Sequence, residues 1–199
     1  DELAQRVEKE TVGLPAGQTP KAYADLKAEN PDFVGWIKIE GTSVNYPVVQ
    51  TKAEPQYYLR RSFEGSYSIA GTPFLDAQCD MEKGIGLIIY GHNMEDKANG
   101  LKFAQLMHYL DVDWASKNPY IYFSTPEDDM VFQVYAVFYT DTGFQYHLEN
   151  PDTATFDNII KEARLRSELN YDVDVNTGDK ILTLSTCTYK FGGPSYTNQ

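Results

Sequence analysis

The chain has 199 residues, of which 42% are hydrophobic and 23% are charged, and its formal net charge is −12 at pH 7. A chain of this length can bury a sizeable core, and its composition is that of an ordinary globular protein. The acidic balance excludes a nucleic-acid-binding protein, since phosphate binding needs a clustered basic surface, and it argues against adsorption to anionic lipid. The 15 Tyr and 10 Phe residues favour strands over a helical bundle.

The beginning of the chain predicts two helices ahead of the strands. Residues 2–10 have apolar side chains one helical turn apart in a polar stretch, which indicates a short peripheral helix. Thr19 and Pro20 indicate the start of a second helix, because threonine caps helices and proline fits their first position. We therefore assign residues 1–32 to an N-terminal helical segment and residues 33–199 to a single β-rich domain.

From residue 34 onwards, runs of β-branched and apolar residues bounded by turn sequences predict strands. The run Ile85–Tyr90 is almost wholly apolar, so we expect it to be buried on both faces. The predicted strands are Val34–Ile39, Val44–Val49, Thr72–Leu75, Ile85–Tyr90, Tyr120–Phe123, Met130–Tyr139 and Ile181–Thr186.

Three stretches among the later strands have helical spacing. The stretch 101–110 predicts a helix whose shared apolar face carries Phe103, Leu106, Met107 and Leu110. Residues 112–116 predict a shorter helix, and a third helix opens at Pro151 with an apolar face of Phe156, Ile159, Ile160 and Ala163. The whole pattern predicts a mainly β protein with added helices, in the form of a closed β-barrel.

The two cysteines differ in their surroundings. Cys187 ends the run Ile181–Thr186, and a thiol at the end of a buried strand has the rigid support that suits a nucleophile. The alternative is a small core residue, because free cysteine is among the most buried residue types. Cys79 lies in a polar, turn-like context, which predicts a loop thiol without a role. We expect no disulfide between them, since it would block the proposed nucleophile.

The three histidines predict one functional residue. His92 follows the strand-like run that ends at Tyr90, and a positioned imidazole can activate a thiol and protonate a leaving amine. His108 lies among apolar neighbours and is expected to pack, while His147 is expected on a surface loop. Their spacing fits no metal-binding motif, so we expect neither a metal nor another cofactor.

Two motifs together resemble the sortase family, class B. The segment Thr183-Leu184-Ser185-Thr186-Cys187 resembles the catalytic strand of that family, and Tyr90-Gly91-His92-Asn93-Met94 resembles its histidine segment. The resemblance covers residues 20–191 in the family's order. It includes the segments Asn30–Ile37, Tyr46–Gln50, Tyr57–Leu59 and Gly71–Asp76.

The resemblance implies a cysteine transpeptidase. Such an enzyme cleaves a sorting motif near the C-terminus of secreted surface proteins, forms a thioester at Cys187, and joins the protein to a peptidoglycan peptide or a pilin amine, with His92 as the acid. It also implies a monomer on the extracytoplasmic face of a Gram-positive cell membrane, held by an N-terminal anchor that this chain does not include. The implied substrate-binding residues are Ser185, Thr186, Asn93, Leu59 and Thr188.

Two features of this part of the chain bear on the groove. Neighbouring residues on an extended strand point to opposite faces, so we expect Ser185 to face the groove and Thr186 to support the barrel. Class B sortases carry a helix in the corresponding loop that forms one wall of the substrate groove, so the resemblance implies this role for the helix that opens at Pro151. The alternative is that this helix only covers the barrel.

The sequence departs from the family after Cys187. Sortases carry an arginine on the next strand, whereas residues 188–199 contain none. Either the working protein continues past Gln199 with a closing strand and an arginine, or its lineage lacks them; we favour the first, because an unpaired barrel edge promotes aggregation. Two other functions stay open: a catalytically impaired barrel that only binds peptides, and a cysteine endopeptidase that releases the acyl group to water.

Overall fold

The structure, a computed structural model, describes residues 2–11, 20–141, 143–146 and 151–188. Its seven strands follow the apolar runs of the sequence. They are β1 (Phe33–Lys38), β2 (Asn45–Val49), β3 (Phe74–Leu75), β4 (Gly86–Tyr90), β5 (Tyr120–Ser124), β6 (Asp129–Gln133) and β7 (Ile181–Ser185). The helices are α1 (Glu2–Thr11), α2 (Lys21–Glu29), α3 (Val112–Lys117) and α4 (Thr153–Arg166), with 3₁₀ helices at Tyr57–Arg60 and Phe103–Leu110.

All seven strands belong to one sheet, in the order β6-β5-β1-β2-β3-β4-β7. Four of the pairings are antiparallel, and the pairings β2–β3 and β4–β7 are parallel. The sheet curls into a nearly closed barrel with helices added around it, which confirms the predicted fold class. Because β4–β7 is a parallel pair, the chain must cross from one end of the barrel to the other between these two strands.

The interior of the barrel is filled by side chains from nearly every strand. Ile37, Val48, Ile89 and Phe123 are completely buried within one apolar cluster. Each side chain of this kind stabilises the fold by roughly 1.5–3 kcal/mol relative to an exposed position. Three consecutive residues of β4 are buried, which confirms the prediction that this strand is covered on both faces.

The N-terminal helices share a core with the outside of the barrel. Leu26 of α2 is completely buried against Phe33 and Trp36 of β1 and Val49 of β2. On the other side of the molecule, Phe156 and Ile160 of α4 form a smaller cluster with Ile181 at the start of β7. Both helical additions are therefore packed on strands. None of the helices that the structure describes is long and apolar enough to cross a membrane.

Two sequence expectations need correction. The helix over residues 101–110 is a 3₁₀ helix, and its tighter winding buries Ala104, Gln105 and Tyr109 beside Phe103. Its remaining apolar residues, Leu106, Met107 and Leu110, are only partly buried.

The second correction concerns β6, and the structure adds a detail about Cys79. Regular pairing of β6 ends at Gln133, beyond which the chain turns to contacts such as the bond from the Glu168 amide to the Val137 carbonyl at 2.8 Å. Cys79 lies in a loop as predicted, but it is only 1% exposed and packs in the barrel cluster.

A methyl group at Gly35 provides a test of the β1–β5 contact. The added carbon would lie 2.6 Å from the Ser124 carbonyl and 2.7 Å from the Phe123 ring, which are closer than atoms can pack. We expect Gly35→Ala to lower the free energy of unfolding by roughly 1–3 kcal/mol, as overpacked cores do, in urea denaturation.

Gly178→Ala is the matched control for this variant. Its new methyl group would meet only the flexible side-chain oxygen of Asn176, at 3.1 Å. We expect a change of about 0.5 kcal/mol or less, as at most surface positions. Equal losses in the two variants would contradict the close β1–β5 packing.

Candidate active site

The parallel pair of β4 and β7 brings the two motifs together. The strands pair in register from Gly86 opposite Ile181 to Tyr90 opposite Ser185, and the Gly91 amide continues the ladder by donating to the Ser185 carbonyl at 3.1 Å. Because parallel strands run in the same direction at a spacing of about 4.8 Å, the residues that follow them leave the barrel side by side. His92 follows β4, and Cys187 follows β7 at the equivalent position.

The imidazole of His92 is held by the backbone of a distant loop. Its Nε2 atom donates a hydrogen bond to the Leu59 carbonyl at 2.7 Å. A carbonyl oxygen only accepts hydrogen bonds, so Nε2 carries a proton, and in a neutral ring Nδ1 is then the free acceptor. The Phe103 amide donates to the His92 carbonyl at 2.9 Å, which holds the backbone of the same residue.

The loop that presents Leu59 is itself anchored by buried polar groups. The side-chain amide of Asn30 donates to the Tyr58 hydroxyl at 2.8 Å and to the Phe63 carbonyl at 2.7 Å. The Tyr58 hydroxyl in turn donates to the Asp32 carboxylate at 3.0 Å. Burial raises the pKa of Tyr58 to about 12, so this phenol stays a hydrogen-bond donor at all physiological pH values.

Cys187 is a free thiol at the surface of the molecule. The residue as a whole is exposed, but neighbouring atoms remove part of the water around its sulfur, and this desolvation raises the pKa of the thiol. Its backbone is held from two sides. The Thr186 hydroxyl donates to the Gly91 carbonyl at 2.6 Å, and the Asn93 side chain donates to the Cys187 carbonyl at 2.8 Å.

Tyr146 is a site residue that the sequence did not indicate. Ser185 is 6% exposed, and its hydroxyl lies 2.9 Å from the Tyr146 hydroxyl. Burial raises the pKa of Tyr146, and a negative charge on Cys187 raises it further, so the phenol lies within electrostatic reach of the thiol. A single tyrosine in an irregular loop carries no pattern, and only the folded chain brings it to β7.

A cavity of ≈ 220 Å³ runs along β7. Its walls are the strand itself, the segment 134–140, one side of α4 and part of the 3₁₀ helix at Phe103–Leu110, and most of the lining side chains are apolar. Of the predicted site residues, Asn93, Ser185, Thr186 and Thr188 line this cavity, whereas His92, Cys187 and Leu59 do not. The cavity therefore follows the side of the strand, and residues next to His92 and Cys187 belong to its lining.

The remaining candidate residues lie elsewhere. His108 stacks on Trp114 with ring centroids 4.9 Å apart, in agreement with its expected packing role. The Cys79 thiol lies 3.6 Å from the Gly86 carbonyl. His147 and residues 189–199, where a following strand and arginine were sought, are outside the described residues. Within the described ranges, no three His, Cys, Asp or Glu side chains converge as a metal site would require.

Comparisons with known proteins agree with the two motifs. The family model for the sortase domain matches residues 37–199. Sortase B of Listeria monocytogenes is 34% identical over 173 residues, which cover 86% of this chain and 69% of that protein. Sortase B of Staphylococcus aureus is 32% identical over 167 residues, which cover 83% of this chain and 67% of that protein.

A solved structure supports the same relationship. The structure described as a Staphylococcus aureus sortase B–substrate complex matches with a TM-score of 0.85 at 29% identity, and the match covers 97% of this chain and 88% of that chain. The sequence resemblance to class B sortases is thus confirmed.

The raised pKa of Cys187 predicts its alkylation profile. Alkylation needs the thiolate, and desolvation makes the thiolate scarcer at a given pH. In the Cys79→Ala protein, the rate with iodoacetamide should rise through neutral pH and reach half its maximum above the value of about 8.5 that is typical of a free cysteine.

The urea-unfolded protein serves as the control, and its midpoint should return to about 8.5. A midpoint below that value in the folded protein would contradict the prediction. It would mean that an imidazolium at His92 stabilises the thiolate by more than desolvation destabilises it.

Proposed function

The chain belongs to the sortase family, class B, whose members are cysteine transpeptidases, and we propose that Cys187 and His92 carry out that chemistry on a sorting peptide. The observation that supports this most is the in-register parallel pairing of β4 with β7, because it sends both residues out of the barrel at the same end. The proton on Nε2 of His92 adds support, since it leaves Nδ1 as a base.

In the proposed reaction, the Cys187 sulfur attacks the carbonyl carbon of the scissile peptide bond while its proton passes to His92. The carbon–nitrogen bond then breaks, and the departing amine takes the proton from the imidazolium, which leaves a thioester on Cys187. An acceptor amine attacks the thioester, gives a proton to His92, and releases the thiol as a new amide forms. Each proton is returned, so the enzyme ends in its starting state.

The substrate is proposed to lie across the ends of β4 and β7. The Leu59 carbonyl lies against the imidazole, Ser185 lines the cavity along β7, and Thr186, whose hydroxyl is bonded to Gly91, would support the bottom of the groove. Helix α4 packs on the start of β7 through Phe156, which supports a wall on that side. A relative with the same fold has been solved as a substrate complex, which supports a peptide ligand in this region.

The partners and location follow from the family. We propose that the sorting signal belongs to secreted surface proteins and that the acceptor is an amine of a peptidoglycan peptide or of a pilin. The site would work as a monomer on the outer face of a Gram-positive cell membrane. No cofactor is needed in this scheme, because the thiol and the imidazole supply the nucleophile and the proton transfer.

The first test follows the acyl group by mass spectrometry. The protein is mixed with a sorting peptide, with and without a short amine acceptor. We expect a thioester adduct and, when the amine is present, a ligated product, and both should vanish in Cys187→Ala because the nucleophile is lost. Cys79→Ala is the control and should keep both, since its thiol is buried away from the site.

Each other outcome of this test identifies a different function. Hydrolysis without ligation would indicate an endopeptidase, and peptide binding without an adduct would indicate an impaired peptide-binding barrel. A full adduct on Cys187→Ala would refute the proposed nucleophile.

The second test concerns the acid. His92→Ala should lower turnover by roughly 10²–10⁴-fold, which is the usual contribution of general acid–base catalysis. Thermal unfolding should change little, because the lost contact is a single half-buried hydrogen bond to Leu59. Turnover is measured in the ligation assay beside a thermal melt, and a variant with near-normal turnover would make His92 a structural residue.

A further inference from the structure

The β4–β7 ladder is continued by side chains around the two functional residues. Main-chain strand pairing ends with Tyr90 opposite Ser185, so Cys187 lies beyond the last regular pair. Beyond this pair, two hydrogen bonds made by side chains join the two segments. Both involve the residues directly before and after His92. Gly91 accepts from the Thr186 hydroxyl at 2.6 Å, and Asn93 donates to the Cys187 carbonyl at 2.8 Å. The segment that carries the imidazole thus holds the segment that carries the thiol.

Asp96 sets the orientation of the Asn93 amide. The Asn93 nitrogen donates to an oxygen of the Asp96 carboxylate at 2.6 Å, and the Thr188 hydroxyl donates to the same oxygen at 3.1 Å. If the Asn93 amide were flipped, its oxygen would face two other acceptors, the Asp96 carboxylate and the Cys187 carbonyl. The carboxylate therefore keeps the amide nitrogen directed towards Cys187. The Asn93 oxygen is buried and has no hydrogen-bond partner among the described residues. An unsatisfied buried acceptor costs free energy, so the two hydrogen bonds that the nitrogen donates must offset this cost.

The loop that carries Asp96 is folded against its own backbone preference. Glu95 and Asp96 have φ angles of 78° and 48°, a left-handed conformation that costs free energy in residues other than glycine. The loop is closed by a bridge between Asn93 and Lys102, and the Met94 amide donates to the Leu101 carbonyl at 3.3 Å. Strained backbone persists where surrounding contacts hold it in place. Here the strained conformation places the Asp96 carboxylate against the Asn93 side chain.

We infer that Asn93 and Asp96 are positioning residues that fix the Cys187 thiol relative to the His92 imidazole by holding the Cys187 carbonyl. This inference rests on the proposed function, and it gives Asn93 a different role from the substrate contact that the sequence resemblance implies. Both hydrogens of the Asn93 amide are already used within the protein, so none is left to donate to a peptide.

The two roles predict different kinetics. A residue that binds substrate in the ground state changes KM, whereas a residue that sets the approach of the thiol and the imidazole changes kcat. A displacement of about 1 Å at reacting atoms can lower a rate roughly 10²-fold. We expect Asn93→Ala and Asp96→Ala to lower kcat for ligation by about 10²-fold with KM within about twofold of the starting protein.

Matched variants separate positioning from loss of structure. Asp96→Asn keeps an oxygen that can accept from Asn93 and should recover most of kcat. Glu95→Ala removes the same charge from the adjoining residue, which is also left-handed but forms its ion pair with exposed Lys97, and it should leave kcat unchanged. Iodoacetamide should still alkylate Cys187 in every variant at a similar rate, since alkylation needs no imidazole alignment. A rise in KM at constant kcat, or equal losses in Glu95→Ala and Asp96→Ala, would overturn the inference.

A measurement without substrate keeps the inference independent of the proposed activity. In ¹⁵N NMR spectra, the Asn93 side-chain amide protons should exchange slowly with water, and the protection should fall in Asp96→Ala but not in Glu95→Ala. Slow exchange in a protein that forms no adduct would leave the contact intact and refute the transpeptidase function. Rapid exchange in the starting protein would refute the contact, whatever the activity.

Discussion

The parallel pairing of β4 with β7 is the constraint on which the site depends. Asn93 and Cys187 are 94 residues apart in the chain, yet they are joined by a hydrogen bond. No local interaction could bring them together, because the intervening chain contains three strands and two α-helices. The pairing register does so instead, since a shift of one residue would move Cys187 away from the level of His92 and turn alternate side chains to the other face.

The helical additions stabilise this arrangement from both sides. On one side, the buried amide of Asn30, which follows α2, holds the loop whose Leu59 carbonyl accepts from His92. A buried amide that loses its partners costs about 1–3 kcal/mol, so the N-terminal segment and the imidazole are energetically linked. On the other side, α4 covers the start of β7. The barrel sets the β4–β7 pairing register, and the helices added to it hold the segments that this pairing brings together.

The sequence predicted the elements that have strong local patterns. Apolar runs identified β1, β4 and β7, and the apolar spacing of α4 identified its buried face. The class of the protein followed from two motifs, because both motifs are short, contiguous and specific.

What the sequence missed depends on contacts between distant segments. The Leu59 carbonyl has the same chemistry as every other carbonyl, so no residue type marks it as the partner of His92. Tyr146 and Asp96 stand in loops without periodicity, and only folding brings them to β7 and to Asn93. Polar neighbours placed Cys79 in a loop, and they gave no sign that its side chain packs in the core.

The raised pKa of the Cys187 thiol bears on the hydrogen bonds that hold the His92 and Cys187 segments in place. A raised pKa keeps Cys187 protonated at neutral pH, and a protonated thiol is a poor nucleophile. The same protonation protects an exposed sulfur, because oxidation follows thiolate character and access. In the proposed mechanism, activation comes from proton transfer to His92 as the substrate reacts, which requires the imidazole within reach of the thiol at that moment. In the proposed mechanism, alignment of His92 with Cys187 takes the place of a permanently ionised thiol, and the hydrogen bonds that Leu59, Thr186 and Asn93 make are the contacts that would maintain it.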